Sequence, residues 1–290
     1  RPKGVTVSHG ALRAQVRALR AVMGTDHRTR VVSLLPPSHL FELTCGTLAV
    51  LAGGGSAVRA TTPTAQGVID AMAATRPRTM VVVPLFLSAL RAGIEREVRA
   101  QSGLRGRSVR VLLHIARRRR SPRVSRMLCW PLLRRFGGRL EYFVCGGAPL
   151  DPEVAAFFDG LGVPVLQGYG LTEASPVVAT NRPDDNRPGS VGRPLPETAV
   201  AIAPDREILV RGPQVMLGYH RDPAATAAVV DAAGWLHTGD LGRLDDDGYL
   251  YVEGRRSNRI VLACGEKVQP EAVETAILRW SLIAECGLLG

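Results

Sequence analysis

Short β-branched runs alternate with amphipathic stretches of helical length over the first ~200 residues, and that rhythm predicts a layered α/β sheet. Residues 31–35, 57–60, 79–83, 141–145 and 163–167 read as strands. Residues 41–52, 64–75, 84–91 and 152–161 carry helical spacing between them. Strands joined through helices pair as parallel neighbours, because each crossover returns the chain in its original direction. After Pro188 the segments shorten. Residues 200–203, 207–211, 242–244 and 249–253 predict a small antiparallel β unit, with Asp247 and Gly248 suited to a type I′ hairpin turn. A polar stretch follows Gly254, then a strand over 259–263 and a helix opening at Pro270.

Residues 105–136 break the rhythm. They are Arg-rich, with amphipathic spacing at Val124, Met127, Leu128, Leu132 and Leu133, and read as a basic helical insertion. A solvated surface helix is the favoured reading over a partner site.

The chain has 290 residues, 46% of them hydrophobic, with 31 Gly and 20 Pro, which suits a turn-rich protein that folds by burial. It begins with Arg1, inside what reads as a motif, and so is expected to be a fragment. No 18-residue apolar run is present; the nearest, 43–58, is shorter and contains four glycines. The expectation is a cytoplasmic protein, with peripheral contact at an anionic membrane open. Five scattered cysteines, with no paired CxxC spacing, argue for reduced thiols rather than a zinc site. The net charge of +11 raises nucleic acid as a partner, but all except two of the 37 basic residues are Arg. No aromatic-interleaved patch accompanies them, so the bias reads as compositional and nucleic acid is not expected.

Four constellations carry chemistry. CGGAPL (145–150) ends a strand before a helix, where Gly146 and Gly147 let a flat ring or phosphate lie on bare backbone. QGYGLTEASP (167–176) offers Tyr169 as a face for a purine, Thr172 as a hydroxyl for a phosphate oxygen, and Glu173 as a hard ligand for Mg²⁺. The competing reading is a core tyrosine with Thr172 as a helix cap. In the run 234–255, Asp240 follows a Thr-Gly turn, where a carboxylate can accept from both ribose hydroxyls, and Arg255 supplies a cationic fork. Asp245, Asp246 and Asp247 are consecutive and cannot converge on one ion; they read as turn residues. Lys3, in a Pro-Lys-Gly turn, either reaches a phosphate oxygen or is an ordinary surface lysine.

Together these segments, with LPPSHLFE (35–42), NRPGSVGRPLP (186–196), EILVRGPQVMLGYHRDP (207–223), HTGD (237–240) and GRRSNRIVLACGEKVQPEAVE (254–274), resemble the adenylate-forming ligase superfamily. Within it the chain is similar to the long-chain fatty-acid:CoA ligases. The resemblance implies a two-step reaction, in which a fatty acid and ATP give an acyl-adenylate that coenzyme A then converts to a thioester. By the same resemblance Gly146, Gly147 and Ala148 line the adenine, Tyr169 and Gly170 flank it, and Thr172 touches phosphate. Glu173 binds Mg²⁺, and Asp240 with Arg255 holds the ribose. His39 falls near the acyl and thiol entrance or is a packing histidine, and Gly265 falls in a loop lining the thiol tunnel. The implied organisation is a partial N-terminal domain over 1–254, a hinge at 255–257, and the start of a small α+β C-terminal domain over 258–290.

Two elements of the family pattern are missing from the 290 residues: the glycine-rich loop before PKG and the lysine near the end of the C-terminal domain. The expectation is therefore a chain that binds nucleotide and adenylates poorly. The alternatives are an acyl-AMP ligase that loads a carrier protein or takes a smaller acid, and a silent nucleotide-binding module. The acid's length and the oligomeric state stay open.

Overall fold

The computed structural model describes residues 3–60, 64–100, 122–258, 260–261, 267–268, 270–277, 283 and 286–288. Strand β1 (Val5–Thr6) leads into helix α1 (His9–Met23). Ser8 caps α1 by accepting from the Ala11 amide, and Gly24 closes it in the left-handed region at φ 58°. Helix α1 is not among the helices expected from the sequence, although its spacing is amphipathic: Ala11, Ala14, Ala18, Leu19 and Met23 are buried, and Arg13, Arg17 and Arg20 are exposed.

The main sheet has seven strands. They are β2 (Arg30–Ser33), β3 (Ser56–Arg59), β4 (Thr79–Val82), β5 (Tyr142–Cys145), β6 (Val165–Gly170), β7 (Val177–Thr180) and β8 (Arg193–Pro194), in the order β3-β2-β4-β5-β6-β7-β8. The pairings from β3 to β6 are parallel, as the strand–helix alternation predicts. The last two are antiparallel, because β6 turns back through the Thr172–Ala174 3₁₀ turn with no helix between. Alternate residues of each strand serve different layers. Met80, Val82, Phe143 and Cys145 pack into one core with Phe157 and Phe158, and Val81, Tyr142 and Val144 face α1 on the other side.

Three local expectations are corrected. The helix expected over 41–52 is a π-helical stretch, Glu42–Leu48, running into a short α2 (Ala49–Ala52). Within it a side chain at Gly46 would put a Cβ 2.2 Å from the Glu42 carboxyl. The strand expected over 163–167 extends to Gly170, so Tyr169 sits on a strand rather than in a turn. Asp247 is absent from the residues with positive φ while Gly248 stands at +80°, so the hairpin turn is not type I′. Instead Asp245 accepts from the amides of Asp247 and Tyr249, and Arg187 bridges Asp245 and Asp247. The aspartates are turn residues, as their spacing implies.

The part of the basic insertion over 105–121 lies outside the described residues. The remainder forms helices over Pro122–Leu128 and Trp130–Leu133 and a 3₁₀ turn at Arg134–Phe136. Here the solvated-helix reading fails, because Cys129, Leu133 and Phe136 are buried in the main core. Met127 and Trp130 stay on the surface.

A second, four-stranded antiparallel sheet follows. It contains β9 (Ala199–Ile202), β10 (Glu207–Arg211), β12 (Leu236–Leu244) and β13 (Leu250–Arg255) in the order β13-β12-β10-β9. The strand expected over 242–244 is thus much longer and takes in the whole HTGD segment. Strand β11 (Gly218–Tyr219) pairs with β1 and draws the chain's start toward this layer. Beyond Arg255 lie a 3₁₀ turn (Arg256–Asn258), a two-strand ladder of β14 (Ile260–Val261) with β15 (Lys267–Val268), and a helix over Pro270–Ile277. No helix among the described residues is long and apolar enough to cross a membrane.

Candidate active site

The C-terminal ends of the parallel strands open onto a cavity of ≈ 240 Å³, the position at which open α/β sheets place their ligands. Strand β5 delivers Gly146 and Gly147 to its mouth, and β6 delivers Tyr169 and Gly170, followed by Thr172. Gly147 adopts φ +88°, and a Cβ on Gly170 would sit 1.8 Å from the Pro176 carbonyl oxygen. Gly170 therefore has no room for a side chain, and Gly147 disfavours one through its backbone conformation, so backbone faces the opening. Ala148, next in the turn, is exposed.

The loop after β6 is held from below. Gln15 of α1 donates through Nε2 to the carbonyls of Ala174 (3.2 Å) and Val177 (2.6 Å). Gln15 is fully buried, and it fastens the segment that presents Thr172 and Glu173. The N-cap position of the 3₁₀ turn falls on Leu171 and not on Thr172, so Thr172 does not fill the capping role.

Two short relays extend from the mouth. In the first, the Tyr169 hydroxyl donates to Asp240 Oδ2 at 2.7 Å, and Arg255 Nε pairs with Asp240 Oδ1 at 2.9 Å. The β12–β13 register sets Asp240 opposite Arg255, which is why residues fifteen apart meet. Asp240 is buried whereas Arg255 is largely exposed. Burial, with the Asp240 charge second, pushes the Tyr169 hydroxyl far above its usual range, so it stays a donor.

In the second relay the Tyr219 hydroxyl donates to Glu173 Oε1 at 2.9 Å, and Lys3 Nζ lies 4.6 Å from the centre of the Tyr219 ring. Burial, then the Glu173 hydrogen bond, raises the Tyr219 hydroxyl to about 12. The β1–β11 pairing sets Val5 opposite Tyr219 and so brings Lys3 onto the Tyr219 ring. The sequence motifs assign Tyr219 no role. It lies inside the matched QVMLGYHRDP segment, but only strand pairing shows what its hydroxyl meets.

His39 is exposed and lines the cavity, with Nδ1 accepting from the Phe41 amide at 3.3 Å. The alternative of a buried packing histidine is therefore excluded. Gly265 lies outside the described residues. No group of three His, Cys, Asp or Glu side chains that could hold a metal occurs among the described residues. Glu173 thus offers a single carboxylate, which fits Mg²⁺ held mainly by substrate phosphates and water.

The sequence profile of the AMP-binding enzyme family matches residues 1–220. The chain belongs to this family of adenylate-forming ligases. A putative fatty-acid–CoA ligase, fadD11, of Mycobacterium tuberculosis is 34% identical over all of the chain and 52% of its own length. A peroxisomal long-chain acyl-CoA synthetase 6 of Arabidopsis thaliana is 31% identical, again over the whole chain and 44% of that relative. The chain thus spans about half the length of the curated relatives it matches. Among solved structures, o-succinylbenzoate CoA synthetase from Bacillus subtilis, in complex with its acyl-adenylate intermediate, superposes with a TM-score of 0.77 at 26% identity. That match covers 99% of this chain and 53% of the other. The same enzyme has been solved with ATP and a magnesium ion, and matches at a TM-score of 0.75.

Proposed function

We propose that this adenylate-forming ligase activates a fatty acid of long aliphatic chain, and that coenzyme A then takes the acyl group. The observation that carries the reading is one cavity with two characters. Its mouth is glycine backbone with Tyr169 and Thr172, and its interior is walled by Leu19, Val31, Val81, Val144 and other apolar side chains. A nucleotide suits the first part and a hydrocarbon the second.

In this reading adenine lies on the backbone of Gly146, Gly147 and Ala148, beside Tyr169 and Gly170. Asp240, held by Tyr169 and Arg255, accepts from the ribose hydroxyls. Thr172 donates to a phosphate oxygen, and Lys3 supplies a second positive contact. Magnesium, when held by Glu173 and the phosphates, neutralises charge so that the acid's carboxylate can approach. A carboxylate oxygen attacks the α-phosphorus, and pyrophosphate leaves with the electrons of the broken P–O bond. The coenzyme A thiolate then attacks the acyl carbonyl carbon and AMP departs. Much of the rate derives from holding two anions in line. His39 stands where the acyl and thiol paths meet, and Gly265 is assigned to the thiol tunnel. The hinge is placed at residues 255–257, between a nucleotide-binding unit over 1–254 and a second domain that begins at 258.

The test is acid-dependent exchange of pyrophosphate into ATP by the full-length protein, followed by thioester formation with coenzyme A or an acyl carrier protein. Exchange that rises with long aliphatic acids and needs Glu173 is expected. Exchange supported only by aromatic or short acids refutes the fatty-acid assignment, and thioester formed only on the carrier refutes coenzyme A as acceptor.

A further inference from the structure

Strand β12 departs from regular pairing where it presents Asp240. Leu209 pairs with His237 and Glu207 with Leu241, so a step of two residues on β10 answers a step of four on β12, and Thr238, Gly239 and Asp240 bulge between them. Gly239 takes φ +72° there. A bulge strips backbone amides of their ladder partners, and each must be satisfied from elsewhere. The Asp240 amide donates to Thr238 Oγ1 at 3.1 Å, and Thr238 in turn donates to the Ile208 carbonyl at 2.8 Å. The Gly239 amide donates to Glu207 Oε1 at 2.8 Å.

Glu207 is buried, and its second oxygen is also engaged. Oε2 lies 3.1 Å from Arg256 Nη1 and 3.2 Å from His237 Nδ1. Arg256 reaches Asp205 Oδ2 as well, at 3.2 Å, and His237 Nε2 lies 3.6 Å from Asp231 Oδ2. A carboxylate withdrawn from water is costly unless it is paired. Holding one amide needs no charge, as Thr238 shows on the neighbouring amide. The charge is explained by the second contact, because Glu207 ties Arg256 to the same point.

These contacts flank the two side chains that meet at the mouth. Gly239 immediately precedes Asp240, Arg256 immediately follows Arg255, and Asp240 pairs with Arg255 at 2.9 Å. We propose that Glu207 is a positioning residue for the ribose clamp, fixing through Gly239 and Arg256 how Asp240 and Arg255 are presented to the sugar hydroxyls. The inference rests on the reading of Asp240 and Arg255 as the groups that hold ribose, and adds what orients them. Groups fixed in advance lose less freedom when the nucleotide arrives. Arg256 lies within the proposed hinge at 255–257, so the arm carrying Arg255 is set only while Arg256 stays on Glu207.

The experiment titrates the full-length protein with AMP and with dideoxyadenosine monophosphate, which keeps base and phosphate but lacks both ribose hydroxyls, in wild type, Glu207→Gln and Arg256→Met. Wild type is expected to bind AMP about tenfold more tightly than the dideoxy nucleotide. Glu207→Gln keeps the acceptor for Gly239 and loses the charge that holds Arg256, so the ratio should fall to about threefold or less while affinity for the dideoxy nucleotide is unchanged. Arg256→Met changes a largely exposed side chain and should lower the ratio in the same direction, which keeps the test decisive if the Glu207 variant does not fold. A ratio that stays at the wild-type value in either folded variant, including one in which both affinities fall together, marks a merely structural role and overturns the proposal. Equal binding of the two nucleotides by wild type overturns the ribose reading and the proposal with it.

Discussion

The hydroxyl of Tyr169 donates to the carboxylate of Asp240 across 71 residues of sequence, at 2.7 Å, and so couples the main sheet to the four-stranded sheet at the mouth of the cavity. The bond fixes a buried carboxylate whose other oxygen is held by Arg255. A carboxylate restrained from both sides would, on the proposed reading, meet a ribose diol without first losing rotational freedom.

Tyr169→Phe keeps the ring and removes that donor. Affinity for AMP should fall about fivefold, and thermal stability should drop slightly, because Asp240 is left with one fewer partner in a buried setting. Calorimetric titration of AMP checks the first and a melting curve the second. Unchanged affinity would mean that Asp240 does not engage the nucleotide.

Glu173→Gln separates metal from nucleotide. The amide oxygen can still accept from Tyr219, so the relay and the fold persist, while the charge that draws Mg²⁺ is lost. ATP affinity without magnesium should be unchanged, and the gain on adding magnesium should shrink by about tenfold or more. Titrating ATP with and without MgCl₂ gives both values.

Glu42 is fully buried at the start of the π-helical stretch, and neither carboxyl oxygen closes a hydrogen bond. Burial raises it above the ordinary 4.5, and the nearby Ser33, the Leu35 amide and the Arg59 charge offset this only in part. The folded state therefore holds this proton more tightly than the unfolded chain. Stability from this group is complete below pH 4.5 and is lost as pH climbs through the raised folded value. Glu42→Gln mimics the protonated form and should melt roughly 2 °C above wild type at neutral pH, with the gap closing toward acid pH. Melting curves across pH 4 to 8 test it, and a constant gap would contradict the linkage.

Gly170→Ala should disable the mouth. Its Cβ would meet the Pro176 carbonyl oxygen at 1.8 Å, and the obstacle is backbone, so no rotamer relieves it. A loss of about 2 kcal/mol or more in unfolding free energy is expected, with nucleotide affinity lost alongside. Urea unfolding monitored by circular dichroism gives the first quantity. Gly147→Ala, which meets nothing within 4 Å but carries φ +88°, should cost less, about 1 kcal/mol.

Much of this protein is legible from the order of its residues. Strand-and-helix alternation marks β2, β4, β5 and β6 as parallel neighbours, because period and crossover length are local properties. Glycines at 146, 147 and 170 announce bare backbone, because residue type alone limits what each can do. The motif order carries the family, and the family profile agrees.

Other features escape such a reading. The buried end of the basic insertion hides behind its arginines, since burial depends on what the tertiary fold sets opposite each face; helix α1, by contrast, carries a legible amphipathic spacing that the expected elements omit. The pairing of Tyr219 with Glu173, the clasp of Gln15 on the Thr172 loop and the hold of Glu207 on Gly239 and Arg256 all arise from contacts between segments distant along the chain. Sequence determined which chemical groups and which local conformations this protein possesses, since those follow from covalent structure and short-range sterics. Only the tertiary structure decided which groups meet, which are cut off from water and how far the cavity runs, because hydrogen bonding, desolvation and register depend on the placement of residues in space.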